Sequence, residues 1–155
     1  MDVAAECPIT KRKWNLLDAA DRQKALAMIR QHRPRLVMLS PPCTPFSILQ
    51  GLNGGPDPEA LRQAEILFQF AVDVACLQVQ LGGLYWLEHP ATSSAWSLDY
   101  LGRRLKTGKV IEANFKMCGH GMTSRDYLGE GLVYKPTRIW TNSWTIAEKG
   151  RSRVH

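Results

Sequence analysis

The chain has no apolar run long enough to span a membrane, and its N-terminus carries no signal-peptide pattern. The expectation is a cytoplasmic protein without a membrane partner. Paired cysteines are missing too. Cys7, Cys43, Cys76 and Cys118 are scattered, with neither a Cys-x-x-Cys spacing nor a secreted disulfide framework. That usage suits a reducing compartment. Internal repeats and low-complexity segments are absent. With 45% hydrophobic residues over 155 positions, the composition is that of one globular domain with a real core.

Acidic residues are in the minority. The formal net charge is +6 and the pI about 9.4. Basic clusters fall at Lys11-Arg12-Lys13, from Arg30 to Arg35, from Arg103 to Lys109, and from Lys149 to Arg153. Such a surface attracts phosphates and supplies sequence-blind affinity. Many domains with no nucleic-acid partner are as basic, so charge alone does not decide.

Read in order, the chain alternates helices and strands. Asp2 to Ala5 suggests a short strand. Asp18 suits an N-cap for a helix over Ala19 to Gln31, with apolar residues at Ala20, Ala25, Leu26 and Ile29, ended by Pro34. Leu36 to Leu39 reads as a buried strand. Asn53 to Pro58 reads as loop. Pro58-Glu59-Ala60 opens a long helix to about Leu81. Its apolar positions are Leu61, Ala64, Leu67, Phe68, Ala71, Val74 and Ala75, with Gln78 in step, and Phe70 and Val79 widen the face. Cys76 reads as core packing. Gly82-Gly83 stops the helix. Leu84 to Glu88 is the next strand, closed by His89-Pro90. Ser93 or Ser94 caps a third helix over about Ala95 to Leu105, ended by Thr107-Gly108. Val110 to Phe115 and Arg138 to Thr141 are further strands, and Met117 to Met122 is loop. The expected fold class is α/β, a partial Rossmann-like, mostly parallel sheet covered on both faces. Residues 1–146 make one domain, and 147–155 a basic, frayed tail.

Between the Leu36 strand and the Asn53 loop runs Ser40-Pro41-Pro42-Cys43-Thr44-Pro45-Phe46-Ser47. Prolines fix φ and cannot donate to a ladder, so the stretch is a stiff turn. It holds one thiol in one place at a strand end, as a nucleophile requires. The plainer reading is a small hydrophobe packed in a loop. Glu88 falls at a second strand end, where the working residues of such sheets collect.

Pro41 to Ser47 resembles the catalytic loop of the DNA cytosine-5 methyltransferases, which reads Pro-Pro-Cys-Gln-Pro-Phe-Ser; Thr44 is the one departure. Glu88-His89-Pro90 stands where that family has Glu-Asn-Val, and only the glutamate matches. Lys135-Pro136-Thr137-Arg138 loosely resembles its Gln-x-Arg-x-Arg motif, and Thr141-Asn142 adds to the likeness. The resemblance implies Cys43, Glu88 and Arg138 as catalytic residues, with Pro41, Pro42, Thr44, Ser47, Lys135 and Thr137 lining the substrate. It implies a nucleic-acid partner, DNA before RNA. The Cys43 thiolate would add to C6 of a flipped cytosine, and Glu88 would hold the ring at N3. Arg138 as a phosphate contact and Glu88 as an ordinary strand-end carboxylate are the competing readings.

The family's cofactor is S-adenosylmethionine, held by a Phe-x-Gly-x-Gly loop on a first strand. The sequence contains no such loop, and Gly54-Gly55 lies on the wrong side of Cys43. The likeness covers about Trp14 to Asn142, the later part of a catalytic domain. The chain therefore reads as a truncated domain: a fragment, half of a split enzyme, or a relict. A homodimer or a complementing chain is expected to complete the sheet. The alternative is a catalytically silent nucleic-acid-binding domain on the same fold. Cys118-x-His120 gives too few ligands at the wrong spacing, so no metal is expected. Trp86 and Trp96 are assigned to the core, leaving Trp140 and Trp144 as candidates to stack bases.

Overall fold

The computed structural model describes residues 11–104, 110–117, 121–126, 129–132 and 134–151. The expected strand over Asp2 to Ala5, Cys7, the Thr107-Gly108 stop, and Cys118 and His120 lie outside these residues.

Helix α1 spans Ala19–His32, and the Asp18 side chain accepts from the Ala20 amide at 2.9 Å. Pro34 blocks continuation, and Arg33 closes the helix in the left-handed region at φ 44. The inward face differs from the expected one. Ala20 is exposed, and Asp21 is buried beside Ala25 and Ile29. Asp21 is satisfied there by the Asn15 amide at 2.9 Å and the Arg12 guanidinium at 2.7 Å.

Helix α2 spans Pro58–Gln80, capped by Asp57, which accepts from the Glu59 and Ala60 amides. Phe68, Ala71, Val72 and Ala75 pack into the main core, while Phe70, Val74 and Leu77 pack with Trp14 and α1. Val79, expected on the apolar face, is 38% exposed. Gln78 is fully buried, and its Nε2 donates to the Pro34 and Leu84 carbonyls at 2.9 and 3.0 Å. It ties the end of α2 to the start of two strands. A Cβ on Gly83 would lie 2.6 Å from that Nε2 and 3.1 Å from the Pro34 carbonyl oxygen, so a side chain there would displace the Gln78 amide.

The strands are β1 Leu36–Leu39, β2 Leu84–Pro90, β3 Ile111–Lys116, β4 Thr123–Asp126, β5 Gly129–Leu132 and β6 Pro136–Thr141. They form a sheet in the order β1-β2-β6-β3 and a separate β4-β5 hairpin. The expectation of a mostly parallel sheet is corrected. Only β1·β2 is a parallel neighbour pair; β2·β6 and β6·β3 are antiparallel. The physical reason is the hairpin. It turns the chain back, so β6 enters reversed between β2 and β3. Three strands still point one way, and the reversed one separates them. The result is an α/β fold with a mixed sheet.

Several boundaries move. Pairing with β6 carries β2 two residues past Glu88, with His89 opposite Arg138 and Pro90 opposite Thr137. The third helix is broken. A 3-10 turn over Ser94–Ser97, capped by Ser93, precedes a short α3 at Asp99–Arg104. The frayed tail is corrected as well, since Trp144–Gly150 form α4, with Ala147 and Gly150 buried. Its N-cap is Ser143, which accepts from the Ile146 amide at 3.4 Å. Gly150 packs close to β6: a Cβ there would lie 2.7 Å from Ile139 Cδ1, so the tip of the isoleucine would have to shift. Residues 152–155 lie outside the described part.

Register assigns the faces. Val37, Leu39, Tyr85, Leu87 and His89 share the face covered by α1 and α2. On the other face α4 covers Ile111, Ala113, Phe115 and Ile139, with Trp86 at the margin. Beyond that margin, none of the described helices covers the sheet. β1 is an edge strand, not a buried one, and Leu36 and Met38 are 42% and 63% exposed. Among the described residues, no helix is long and apolar enough to cross a membrane.

Candidate active site

Cys43 caps a 3-10 turn over Thr44–Phe46, with φ −109 and ψ −18. Its carbonyl accepts from the Phe46 amide at 3.0 Å. Pro45 suits the turn, because its fixed φ matches and its missing N–H has no partner to lose. Phe46 is the anchor at 2% exposure, its ring edge-on to Phe68 at 5.9 Å and His89 at 5.8 Å. Ser94 Oγ donates to the Phe46 carbonyl at 3.3 Å. Ser47 caps the following 3-10 stretch by accepting from the Leu49 amide at 3.3 Å. The turn is thus fixed at its far end and leaves Cys43 half-buried with a free thiol.

Two bonds stitch this turn to the end of β2. Ser40 Oγ donates to Glu88 Oε2 at 3.0 Å, and His89 Nε2 meets the Pro42 carbonyl oxygen at 3.3 Å. Parallel pairing of β1 with β2 brings these strand ends together. The turn that carries Cys43 is therefore held to the end of β2 from both faces of the sheet, at Ser40 by Glu88 and at Pro42 by His89. Lys135 lies beside Glu88, with Nζ 3.8 Å from Glu88 Oε1. Thr137 is fully buried, and its hydroxyl donates to the Lys135 carbonyl at 3.2 Å. Its place is behind Lys135 and away from solvent. Pro41 and Pro42 border the groove beside β1, and Thr44 is exposed at the turn.

Arg138 is not brought to Glu88. It pairs with His89 across the ladder, so its side chain leaves the sheet on the opposite face from Glu88. There Nε donates to Asn114 Oδ1 at 3.2 Å and lies 3.3 Å from Glu112 Oε1, with the guanidinium 5.5 Å from the Trp96 ring. Trp96 and Trp140 are part of the core margin, with ring centroids 4.9 Å apart, whereas Trp144 is 67% exposed. Thr141 and Asn142 act within the fold. Thr141 Oγ1 donates to the Tyr85 carbonyl at 2.6 Å, and the Asn142 side chain bonds the Tyr85 amide and the Gly83 carbonyl.

Sequence reasoning used His89 to close a strand and as a mismatch to the family motif, and gave it no part in the site. The structure makes it the post behind the Cys43 turn. It is 1% exposed and boxed by the edges of Phe46, Phe68 and Trp96. Burial lowers its pKa, against the raising effect of the Pro42 carbonyl. The neutral ring donates from Nε2 to Pro42 and leaves Nδ1 without a protein partner. The signal was local: a histidine next to a strand-end glutamate, within a run of strand residues.

No family model, curated protein or solved structure matches the chain. The site therefore rests on its own geometry.

A groove of about 610 Å³ runs beside β1 between α1 and α2, ending at Ser40, Pro41 and Pro42. Apart from Ser40, its lining side chains are apolar, with no carboxylate for a ribose diol. The lining of this groove does not fit S-adenosylmethionine. Among the described residues, no cluster of three or more His, Cys, Asp and Glu residues could hold a metal.

Proposed function

We propose that the Cys43 turn and Glu88 bind a cytosine ring and that the Cys43 thiol adds across its C5–C6 bond, in a Rossmann-like domain of cytosine-5 methyltransferase type. The observation that carries this reading is the stitching of the Cys43 turn to Glu88 through Ser40 and His89. It supports the reading by tying the turn after β1 that carries the Cys43 thiol to the Glu88 carboxylate near the end of β2. Glu88 binds the amino group and N3 edge of the ring. As N3 gains hydrogen-bonded or protonated character, C6 becomes more electrophilic. The Cys43 sulfur bonds to C6, the C5–C6 double bond opens, and C5 takes a proton from solvent. On reversal C5 returns one of its two hydrogens to solvent as a proton, the double bond re-forms and the thiolate leaves, so either hydrogen can remain on C5. Lys135, at the rim beside Glu88, is the nearer cation for the base or its phosphate. Single-stranded or extruded DNA is the substrate form, because the ring edge must leave the stack.

The test is exchange of the cytosine C5 hydrogen for solvent deuterium in a single-stranded oligonucleotide, which needs no methyl donor. Exchange is expected with the intact chain and lost in Cys43→Ala. Glu88→Gln should slow it by about 10²-fold or more. An intact chain that binds the oligonucleotide without exchange would support the silent nucleic-acid-binding domain instead. The engagement of Arg138 by Glu112, Asn114 and Trp96 favours that second reading.

A further inference from the structure

The free edge of β1 is a different surface from the Cys43 turn. The Leu84 amide donates to the Arg35 carbonyl at 2.9 Å. By the alternation of a parallel ladder, Val37 and Leu39 turn their amides toward β2, while Leu36 and Met38 turn theirs outward. Among the described residues, no strand meets them. The outward residues are also the exposed apolar ones, and Leu84, 37% exposed, extends the bare patch. On the opposite face, the groove between α1 and α2 opens along the same edge, walled by Ile29, Val37, Phe70 and Val74. The edge therefore offers backbone pairing, an apolar slot on one side and an apolar shelf on the other.

Charge at its entrance selects among occupants. Arg30, Arg33 and Arg35 are exposed around the turn from α1 into β1. Among the described residues none of the three is in an ion pair. A second copy would bring the same arginines and a further net charge of +6.

We infer that the β1 edge takes an extended segment of a partner protein. The segment pairs with the outward amides of Leu36 and Met38, sends alternate apolar residues into the groove, and carries carboxylates at the end beside Arg30, Arg33 and Arg35. Backbone bonds give the affinity, and alternation with charge gives the selection. Pro34, Pro41 and Pro42 bracket the docking stretch and fix its length.

The probe is a fluorescein-labelled peptide in which a pair of aspartates precedes alternating valine and threonine. Its reverse-order version covers the other strand direction, and versions with lysine for aspartate are controls. Fluorescence anisotropy against the intact chain should show binding of an aspartate peptide and weaker binding of its lysine counterpart. Met38→Pro removes one outward donor at an edge position where proline is tolerated, and should weaken binding about tenfold. Arg30→Glu with Arg35→Glu, a surface change, should weaken it by about tenfold at low salt and less at high salt. Thermal unfolding of each variant confirms that it folds. Failure of both aspartate peptides to bind overturns the inference, as does equal binding of the lysine peptides. A dimer seen by sedimentation and dissolved by Met38→Pro would make a second copy the occupant and overturn it too.

Discussion

The two sides of the sheet are finished differently. On the β3 side, the chain turns back through a hairpin, inserts β6 and lays α4 across Ile111, Ala113, Phe115 and Ile139. Ile139 is fully buried there. Both β1 and β3 are edge strands, but on the β1 side no described helix covers this face, and Met38 stands 63% exposed on it. The same four-stranded sheet thus carries a closed half and an open half, and the Cys43 turn sits on the open one. Placing the turn on an edge strand leaves it fewer neighbours to hold it. Ser40, Phe46 and His89 carry the restraint that a flanking strand would otherwise share.

The largest effect should come from breaking the closed half. Ile139→Ala is expected to cost about 2–5 kcal/mol, because it empties a site sealed by α4 on one side and Ala113 on the other. Denaturant unfolding reads it directly, and a cost near zero would mean that α4 does not seal the sheet in solution. Gly83→Ala comes next, at about 1–3 kcal/mol, because the new methyl group forces Gln78 off the Pro34 carbonyl. Gln78 is the tie between α2 and both strands of the open half, so this substitution loosens the half that carries Cys43.

A smaller effect is set by pH. Burial holds the His89 pKa below its ordinary 6.5. The unfolded chain therefore takes up a proton on this ring before the folded chain does. Its contribution is fully present above pH 6.5 and is lost as pH falls from there through the lowered folded value. Asp21 acts in the same direction at lower pH. The Asn15 amide, chiefly, holds its carboxyl below 3.8, so its share disappears only in stronger acid. Thermal midpoints followed from neutral pH down to 5 should decline in the intact chain and flatten in His89→Asn. An unchanged slope in that variant would mean that His89 is not the buried neutral ring behind Pro42.

The sequence made the local rules legible. Asp18 caps its helix, Pro34 ends it, Pro58 opens the next, and the apolar spacing of Phe68, Ala71 and Ala75 reports the buried face of α2. What it could not carry was the arrangement between distant segments. Leu36 to Leu39 is as apolar as a central strand, and nothing in four residues says that one edge lacks a neighbour. The hairpin was hidden because Thr123 to Leu132 is rich in polar residues and glycine, and its β5 is exposed throughout. Missing the hairpin meant missing the reversal of β6, and with it the separation of Arg138 from Glu88. At the candidate site, the placement of Cys43 on a stiff turn after β1 was legible from its prolines, whereas Glu88 lies within β2 and not at its end. Lys135 beside Glu88 was readable only as part of a motif, and the bond of His89 to Pro42 not at all. Both depend on which residues the register places opposite one another.

The smallest expected effect tests the open half most sharply. Met38→Ser removes an apolar side chain that touches little in the isolated chain. Its cost should stay within about 0.5 kcal/mol, the range of ordinary surface substitutions. Ile139 lies on the same face of the same sheet two strands away, so the pair isolates what cover alone contributes. If Met38→Ser instead costs more than about 1 kcal/mol in dilute protein, something already covers β1 in solution. The comparison between the halves would then fail at its open end. If the cost is small alone but grows when an acidic strand peptide is present, the open half closes only with its partner. The difference between its two values then measures how much of that closure Met38 provides.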